Sequence, residues 1–430
     1  MILSGGFRTL RGMRDYLPDD TFKLNYVKGV VRRLFVLFGY GEVITPTVES
    51  YSLLEAKAGE EIRHRMYVFD DMGGRRVALR PEMTPSVARF YINHLLSSPK
   101  PVRLGYIANC FRYDEPQFGR YREFWQGGFE LFGSSDPVAD VEILSVAEML
   151  VKCLGFKEYW FKLGHMGVLK GLLSDVGVSD RDQNSLLGLL DKGRLNEALD
   201  SLSSLGVSDK CLYVVRELFS LKGGDVERLF KAAEDLLADY PSALSALDNF
   251  SMILSLLADD FMGHVSVDFS FARGLEYYTG LIFEYFVSGF KLALGGGGRY
   301  DGLISLFGGP STPAVGFAPG LDRIVLAMEE KNLPFGVSSR RRVLLVPLAR
   351  SVIPYSLSIS NVLRDNGIPV EFEVMDRSLK RSLSYASSHS FSHVIIVGKR
   401  EYADGVLVLR DLEANVQWIC SLEEAIRKLG

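Results

Sequence analysis

The spacing of apolar residues predicts a long first helix followed by a run of strands. Over residues 20–40 the apolar side chains recur at helical intervals, and Gly39 and Gly41 predict where that helix ends. Residues 41–50 alternate as a strand does, and Pro46 places this strand at a sheet edge or at its own end. Further strands, with one helix among them, are predicted over YVFD, RVALR, VRLGYIANCFRY and REFWQGGFELFG. Short turns between neighbouring strands favour an antiparallel sheet.

The middle of the chain changes from strand to helix periodicity. Residues 137–154 predict a helix that opens at a proline, and roughly residues 166–260 repeat the helical spacing with almost no strand signal. We expect this stretch to be a helical insertion in a strand-rich domain. Strand patterns return in HVSVDFSFA, LEYYTGLIFEYFV and KLALGGGGRYDGLI, before a helix over GLDRIVLAMEEKN.

The end of the chain has the pattern of a separate small domain. Strands and helices alternate there, which predicts an α/β unit with parallel pairing and a boundary near Val337–Arg342. The predicted division is therefore a strand-rich core over residues 1–164 and 261–336, a helical insertion over 165–260 and a C-terminal domain over 340–430.

Composition and charge exclude several classes of protein. The chain has 430 residues, with 49 Lys and Arg against 53 Asp and Glu, and its net charge of −4 excludes a histone-like polycation. Residues 340–430 alone carry 13 basic and 10 acidic residues, a net +3. The four cysteines lie far apart without a C-x-x-C pair, which argues against a disulfide scaffold or a cysteine zinc site. No stretch has the character of a signal peptide or a membrane span, so we expect a soluble, cytoplasmic protein.

Several common site motifs are missing from the sequence. There is no P-loop, and GGGGRYDG lacks the G-x-G-x-x-G spacing of a dinucleotide fold. Neither H-E-x-x-H nor G-x-S-x-G occurs. His389 and His393 lie four residues apart, but the strand that follows favours surface histidines over a metal site.

The segment from Cys110 to Gly133 carries the most informative chemistry. It places Arg112, Arg120 and Arg122 among aromatic residues, on predicted strands that flank a turn. A guanidinium group binds phosphate oxygens bidentately and stays charged, so arginines on a sheet surface suit a triphosphate. A charged hairpin on a solvated face is the alternative, and composition alone favours it.

Two further segments combine glycines or tyrosines with charged residues. Arg273 leads a predicted strand that bears Tyr277, Tyr278 and Glu284, which suits either a pocket for a small polar ligand or ordinary sheet packing. Four glycines before Arg299 indicate either a close approach of the backbone to a ligand or a tight bend.

The beginnings of two predicted helices carry the remaining candidates. Arg323 lies in the first turn of a helix that follows a glycine-rich turn, where it suits a phosphate or is simply a structural charge. Glu82 and Thr84 come just after a strand, where they suit an ammonium group, unless Thr84 only caps the helix that follows.

The order of these segments resembles a known family. An early helix with a proline-ended strand, then F-R-x-[DE] with a distal R-x-R-E-F, then G-L-[DE]-R, resembles the three signature motifs of class II aminoacyl-tRNA synthetases. Within that class, RGLEYYTGLIFE and GGGGRYDGL resemble the two peptides peculiar to histidyl-tRNA synthetases, and RPEMT and GMRDYLP match two more of that family's peptides. The resemblance runs in order from about Arg11 to the C-terminus.

The resemblance implies an α+β fold, with the antiparallel sheet core of class II synthetases flanked by helices, a helical insertion and a C-terminal α/β anticodon-binding domain. It implies a histidine–tRNA ligase that joins L-histidine to ATP, releases pyrophosphate, and passes the histidyl group to the terminal ribose of histidine tRNA. Mg²⁺ is expected as the counter-ion of ATP, with protein ligands that the sequence does not identify. A homodimer is expected through the first motif, roughly residues 24–50.

The resemblance also assigns the cations of the reaction. It implies that Arg112 binds the α-phosphate and the substrate carboxylate, and that Arg120 contacts the triphosphate. Arg323 is implied to hold the γ-phosphate end and to stack near adenine. Arg273 is implied to be the histidine-specific cation, where other class II enzymes place a metal ion.

Six side chains are implied to form the histidine pocket. They are Glu82, Thr84, Gln126, Glu130, Tyr277 and Tyr278. Glu82 and Thr84 are implied to hold the α-ammonium group, with Gln126 near the amino and carboxylate groups. Glu130 and Tyr278 are implied to read the imidazole ring, with Tyr277 beside them.

The sequence departs from the family pattern in the turn of the second motif. Glu115 and Phe118 replace the usual residues there, which leaves Gln117 as the expected contact to the tRNA acceptor end, and Trp125 stands where histidine is common. The alternative function is a non-catalytic, synthetase-like regulatory subunit of ATP phosphoribosyltransferase in histidine biosynthesis. Such subunits generally lack the anticodon domain and lose the catalytic arginines, whereas this chain has both.

Overall fold

The computed structural model describes four stretches of the chain, residues 7–56, 59–271, 277–336 and 342–430. The chain divides into two compact units, of which the larger ends at Phe335 and the smaller begins at Gly336. Each unit contains both helices and sheet, so the predicted α+β class is confirmed.

The helices of the described residues are α1 (Pro18–Phe38), α2 (Tyr51–Glu55), α3 (Glu60–Arg63), α4 (Thr84–His94), α5 (Pro137–Cys153), α6 (Met166–Asp175), α7 (Asp180–Asp191), α8 (Leu195–Ser204), α9 (Asp209–Ser220), α10 (Val226–Leu237), α11 (Pro241–Ser255), α12 (Asp259–Met262), α13 (Leu303–Leu306), α14 (Leu321–Glu330), α15 (Ile353–Asp365), α16 (Leu379–Ser388), α17 (Lys399–Asp404) and α18 (Leu422–Leu429). The strands are β1 (Gly41–Glu42), β2 (Val48–Ser50), β3 (Val68–Asp70), β4 (Arg76–Leu79), β5 (Val102–Phe111), β6 (Glu123–Phe132), β7 (Tyr159–His165), β8 (Lys222–Gly223), β9 (Val265–Asp268), β10 (Leu281–Val287), β11 (Gly295–Arg299), β12 (Ala314–Pro319), β13 (Val343–Pro347), β14 (Val370–Phe372), β15 (His393–Val397), β16 (Leu407–Asp411) and β17 (Val416–Cys420).

Nine strands of the larger unit form one sheet, in the order β1-β5-β6-β12-β11-β10-β7-β9-β8. Neighbours in this sheet are antiparallel except for β1 with β5 and β7 with β9, so the predicted antiparallel core is confirmed. The longest ladder joins β5 to β6, from Val102 opposite Phe132 to Phe111 opposite Glu123. This ladder fixes the position of the turn that follows Phe111.

The first helix, α1, lies on this sheet. Its apolar residues recur at helical spacing and are buried, namely Leu24, Val27, Val31, Leu34 and Phe35. A Cβ atom at Gly105 would overlap the Phe35 ring, so the glycine lets α1 approach β5 closely. The helix ends where predicted, at Gly39, which has a left-handed φ of 73°.

Helices α6 to α12 occupy the stretch between β7 and β9, where the sequence predicts consecutive helices. The strands β7 and β8 were not predicted, although β7 has seven residues; β8 has only two. Helix α6 packs closely on α11, because Gly171 leaves no room for a Cβ beside the backbone of Ala243. The Asp175 carboxylate accepts a hydrogen bond from Ser242 N at 2.8 Å, at the start of α11.

One predicted strand is shorter than its sequence pattern indicates. The pattern LEYYTGLIFEYFV predicts a strand that includes Tyr277 and Tyr278, but β10 begins only at Leu281. Its partner β7 ends at His165, opposite Leu281, and no further residue of β7 remains to pair with the two tyrosines. They therefore lie in an irregular segment, which frees both rings from the alternation of a sheet.

The smaller unit contains a five-stranded sheet in the order β14-β13-β15-β16-β17. The predicted parallel pairing is confirmed for β13 with β14 and with β15, whereas β16 and β17 add two antiparallel strands that were not predicted. Neighbouring residues of β13 point to opposite faces, so Leu345 and Leu344 belong to separate apolar clusters. Helices cover both faces, as in other α/β units.

Candidate active site

A cleft of ≈ 290 Å³ lies in the larger unit where the β5–β6 turn, the glycine strand β11 and the start of α14 come together. Eight of the predicted site residues line it, namely Glu82, Thr84, Arg112, Arg120, Gln126, Tyr277, Tyr278 and Arg323. Glu130 is buried directly against Thr84, and Gln117 is exposed in the β5–β6 turn. Arg273 lies outside the described residues.

Glu130 is a buried carboxylate at the inner end of the cleft. Its Oε1 accepts a hydrogen bond from Thr84 Oγ1 at 2.8 Å, and its Oε2 accepts one from the Tyr300 hydroxyl. Burial raises the pKa of Glu130 to about 7, although these hydrogen bonds oppose the shift. Tyr300 was not among the predicted site residues, although its segment GGGGRYDGL was singled out.

Two glycines make room for this carboxylate. A Cβ atom at Gly316 in β12 would overlap the Glu130 carboxylate, and one at Gly297 in β11 would overlap the backbone of Gly316. The glycine-rich strand therefore serves close packing of β11, β12 and β6 around Glu130.

Glu82 is the second buried carboxylate of the cleft. Its Oε2 accepts a hydrogen bond from the Tyr277 hydroxyl at 3.2 Å. Burial and then the charge of Glu82 raise the pKa of Tyr277 well above its usual range, so the phenol stays protonated and donates. The rings of Tyr277 and Tyr278 lie 4.9 Å apart at 53°, and both are buried.

Arg112 presents a guanidinium group that is only partly engaged. Its Nε donates to the Pro81 carbonyl at 2.8 Å, and the group lies 5.4 Å from the centre of the Phe124 ring. Among the described residues no carboxylate forms an ion pair with Arg112. Its remaining N–H groups are thus available to an anionic ligand.

The β5–β6 turn separates the arginines that sequence analysis grouped together. Arg120 is exposed, and its backbone pairs with that of Gln117. Arg122 is buried instead, with its Nε on the Asp114 carbonyl at 3.0 Å and its guanidinium 3.7 Å from the Tyr113 ring centre. The two do not share a strand face, because β6 begins only at Glu123. The expectation that Arg120 and Arg122 point the same way on one strand is not met, and the contacts of Arg122 are structural.

Arg323 joins two loops at the mouth of the cleft. Its Nε donates to the Gly119 carbonyl at 3.1 Å, and its Nη1 donates to the Ala293 carbonyl at 3.0 Å. Gly119 has a φ of 67°, in the left-handed region that favours glycine. The arginine therefore fixes the β5–β6 turn relative to the segment that leads into β11.

Asp322, beside Arg323, was missed by sequence analysis. Its Oδ1 accepts from Arg14 Nη2 and from the Tyr16 hydroxyl, each at 2.6 Å, and its Oδ2 accepts from Trp125 N at 2.6 Å. One buried carboxylate thus ties the segment GMRDYLP to β6 and α14. The family peptides at positions 12–18 and 320–323 were the signal that could have found this contact.

Trp125, which stands where the family commonly has histidine, packs against α1. The Lys28 ammonium lies 3.0 Å from the centre of the Trp125 ring. Burial and the nearby charge of Arg32 lower the pKa of Lys28 to about 8. The indole therefore occupies a position between the first motif and the cleft.

A buried ion pair supports the end of the glycine strand. Arg299 Nη2 lies 2.5 Å from Asp140 Oδ2, and the same guanidinium donates to the Ser134 carbonyl at 2.9 Å. The pair connects β11 to α5 and so fixes Tyr300, the next residue, in its position against Glu130.

The described residues contain neither a candidate metal-ligand cluster nor a candidate membrane-spanning helix. No group of three or more His, Cys, Asp or Glu side chains in that part of the chain is placed to hold a metal ion. In the same residues, no helix combines the length and apolar character that a bilayer span requires.

The sequence matches known families over most of its length. The profile of the family described as histidyl-tRNA synthetase matches residues 12–324, and that of the anticodon binding domain matches residues 342–430. The chain is 39% identical over 420 residues to the histidine–tRNA ligase of Methanocaldococcus jannaschii, covering 97% of this chain and 98% of that protein. It is 40% identical over 427 residues to the histidine–tRNA ligase of Methanococcus maripaludis, covering 98% and 99%.

A solved structure is similar as well. It is described as an ATP phosphoribosyltransferase regulatory subunit/histidyl-tRNA synthetase from Bacillus halodurans, with a TM-score of 0.77 and 25% identity, covering 91% of this chain and 98% of that chain. The family profile spans most of the sequence, including both glycine-rich peptides, and the curated relatives cover nearly all of it. The chain belongs to the histidyl-tRNA synthetase family.

Proposed function

We propose that the chain is a histidine–tRNA ligase, which activates L-histidine with ATP and transfers it to histidine tRNA. The observation that carries this proposal is one cleft lined by the buried carboxylate Glu82 and by Arg112, Arg120 and Arg323, with the buried Glu130 directly behind Thr84. Two curated relatives that align with this chain over almost their whole length are both named histidine–tRNA ligase. The regulatory-subunit alternative is not favoured, because the chain also matches the anticodon binding domain.

The carboxylates Glu82 and Glu130, with their neighbours, suit the binding of histidine. Glu82 and Thr84 would hold the α-ammonium group, with Gln126 near the amino and carboxylate groups. Glu130 and Tyr278 would read the imidazole, with Tyr277 beside them. A carboxylate has about four acceptor positions, so Glu130 can accept an imidazole N–H in addition to its bonds from Thr84 and Tyr300. An analogue without ring nitrogens would not make this additional bond to Glu130 and would bind less well.

The arginines that line the cleft suit the binding of ATP. In the first step a histidine carboxylate oxygen bonds to the α-phosphorus, and the bond from that phosphorus to pyrophosphate breaks. Two anions meet, so cations and correct placement supply most of the catalysis. We assign the α-phosphate and substrate carboxylate to Arg112, the triphosphate to Arg120, and the γ-phosphate end to Arg323. Arg273 is assigned as a further cation by its position in the sequence alone.

The tRNA would contact both units. Gln117 is exposed in the β5–β6 turn at the mouth of the cleft, as a contact to the acceptor end requires. The smaller unit would bind the anticodon, and its net charge of +3 over residues 340–430 suits RNA phosphates. We expect this activity in the cytoplasm, where charged tRNA is used in protein synthesis.

A homodimer through the first motif is part of the proposal. Three large apolar side chains in or just after α1 are exposed, Val36 at 81%, Leu37 at 60% and Ile44 at 90%. Apolar side chains exposed so close together are typical of surfaces that a partner covers.

Mg²⁺ would enter the cleft with ATP. Because the described residues do not supply a ready group of ligands, phosphate oxygens and water would hold most of the ion. The ion would neutralise part of the triphosphate charge, while positioning of the reactants remains the task of the arginines.

The first experiment is exchange of labelled pyrophosphate into ATP, measured with each of the twenty amino acids in the absence of tRNA. Exchange with histidine alone supports adenylate formation and the choice of substrate. No exchange with any amino acid would refute the ligase and leave the regulatory-subunit alternative, with bound histidine as its signal.

A further inference from the structure

The segment that carries Tyr277 and Tyr278 is held from the core on two sides. On one side Tyr277 bonds to Glu82, as described above. On the other side Thr279 N donates to the Arg299 carbonyl at 2.8 Å, and Asp301 N donates to Thr279 Oγ1 at 3.1 Å. These bonds fix the two ends of the described segment, but none of them binds the backbone of Tyr278.

The helical insertion supplies a third attachment. Lys170, half-buried on α6, donates from Nζ to the Tyr278 carbonyl at 2.7 Å. At the start of the same helix, Met166 N donates to the Gly280 carbonyl at 2.8 Å. One helix of the insertion therefore binds the backbone on both sides of Thr279.

Helix α6 is a firm base for this contact. Its close packing on α11 at Gly171 leaves no space for a side chain, and Asp175 binds the first turn of α11. The position of the Lys170 backbone is thus determined by the whole insertion, and its side chain transmits that position to Tyr278.

Packing alone does not hold the segment on the insertion side. A second cavity of ≈ 470 Å³ lies there, lined by Lys170 and Gln183 of the insertion and by Tyr277, Thr279 and Leu303 of the core. Because Tyr277 lines this cavity as well as the candidate active site, the segment separates the two spaces. The charged hydrogen bond from Lys170 binds the Tyr278 backbone at the edge of this cavity.

We propose that Lys170 is a positioning residue for histidine, by which the helical insertion holds Tyr277 and Tyr278 in the cleft. The proposal rests on the proposed function, since it adds a residue to that same site. Lys170 touches no substrate in this view and acts through the Tyr278 backbone. Its loss would weaken the binding of histidine and leave that of ATP nearly unchanged, because Arg112, Arg120 and Arg323 lie on other elements.

The test uses the full chain and pyrophosphate exchange, with KM for histidine, KM for ATP and kcat measured separately. Lys170→Met is expected to raise the histidine KM about tenfold, the cost of one hydrogen bond to a charged group, with the ATP KM changed less than about twofold. Lys170→Arg, which can still donate to the carbonyl, is expected to recover most of the loss. Lys210→Met is the matched control, because Lys210 lies in the same insertion and pairs with Asp239 at the surface.

Other outcomes would overturn the assignment. An unchanged histidine KM in Lys170→Met, an equal rise in both KM values, or an arginine variant no better than methionine would each exclude the positioning role. If Lys170→Met does not fold, the arginine variant and direct titration of histidine binding decide the matter alone. Failure of the proposed function is distinguishable, because then the unaltered chain shows no histidine-dependent exchange.

Discussion

Thr84 Oγ1 and Glu130 Oε1 lie 2.8 Å apart, although one residue begins α4 and the other lies near the end of β6. Sequence analysis left open whether Thr84 only caps its helix. The structure shows no cap hydrogen bond from the residue before it, and the hydroxyl points at the buried carboxylate. The contact joins the proposed ammonium and imidazole ends of the histidine pocket.

Replacing Glu130 by Gln tests its raised pKa. The folded-state pKa, about 7, lies above the usual value of 4.5, so the folded protein binds more protons between these limits. The unaltered chain without substrate should thus lose stability as pH rises from about 4.5 to 7. Glu130→Gln lacks this titration. As pH rises from about 4.5 to 7, its free energy of unfolding should therefore increase by about 3 kcal/mol relative to that of the unaltered chain. Urea denaturation at pH 5 and pH 7.5 measures the difference, and parallel pH profiles would contradict it.

Arg112 is expected to matter most for adenylate formation. Since its free N–H groups are assigned to the α-phosphate, Arg112→Ala should reduce the rate of pyrophosphate exchange by about 10²–10³-fold. Lys at this position keeps the charge but not the planar fork, so it should restore only part of the rate. Single-turnover formation of the adenylate is the direct measurement. A near-normal rate in the alanine variant would refute the assignment.

Removal of the Asp322 carboxylate should destabilise the larger unit. Asp322→Ala leaves Arg14, Tyr16 and the Trp125 N–H without their common acceptor, and should cost about 2–3 kcal/mol of unfolding free energy. The matched control is Asp19→Asn, which breaks a surface pair with Lys23 and should cost less than about 0.5 kcal/mol. Equal effects of the two variants would show that Asp322 has no such role.

The basic surface of the smaller unit should affect tRNA and not adenylate formation. Lys380, Arg381, Lys399 and Arg400 are exposed. Changing all four to Ala should lower kcat/KM for tRNA in aminoacylation and flatten its salt dependence, because phosphate contacts release counter-ions. Pyrophosphate exchange should stay at the unaltered rate. An unchanged salt dependence would remove these residues from the tRNA interface.

The proposed dimer predicts a change of mass. Ile44→Glu places a charge in the exposed apolar surface near α1 and should convert dimers into monomers in sedimentation experiments. Ile419→Glu is the control, since Ile419 is similarly exposed but lies in the smaller unit. A monomeric unaltered chain would end the dimer proposal.

The fold was predictable where periodicity is long and regular. Helix α1 and the β5–β6 pair follow directly from the spacing of their apolar residues, and both are confirmed. The short strands β8, β16 and β17 were not predicted. Tyr277 and Tyr278 were placed in a strand because their pattern continues that of β10, and only the end of β7 stops the ladder.

Sequence motifs indicated which residues belong to the candidate site. They did not indicate which side chains contact one another there. Eight of the residues named by the motif resemblance line one cleft. The resemblance did not indicate that Tyr300 donates to Glu130 or that Asp322 accepts three hydrogen bonds. Such partners lie far apart in the chain, and their pairing depends on register and burial. The spacing of Arg120 and Arg122 predicts one strand face for both, but β6 begins only at Glu123 and the Arg122 side chain is buried.

The helical insertion departs from the large sheet after β7 and returns in β9, its parallel neighbour, with Phe161 opposite Val265 and Leu163 opposite Val267. The chain leaves the sheet at His165 and returns at Val265, opposite Phe161, so the two attachment points are offset by about 13 Å along the strands and about 4.8 Å across them. The insertion also supplies β8, which pairs with β9 at the edge of the same sheet, so any shortening or exchange of the insertion would have to preserve that edge strand. Helix α6 and its packing partner α11 would have to be kept as well, because a graft without Lys170 would loosen the proposed amino-acid pocket.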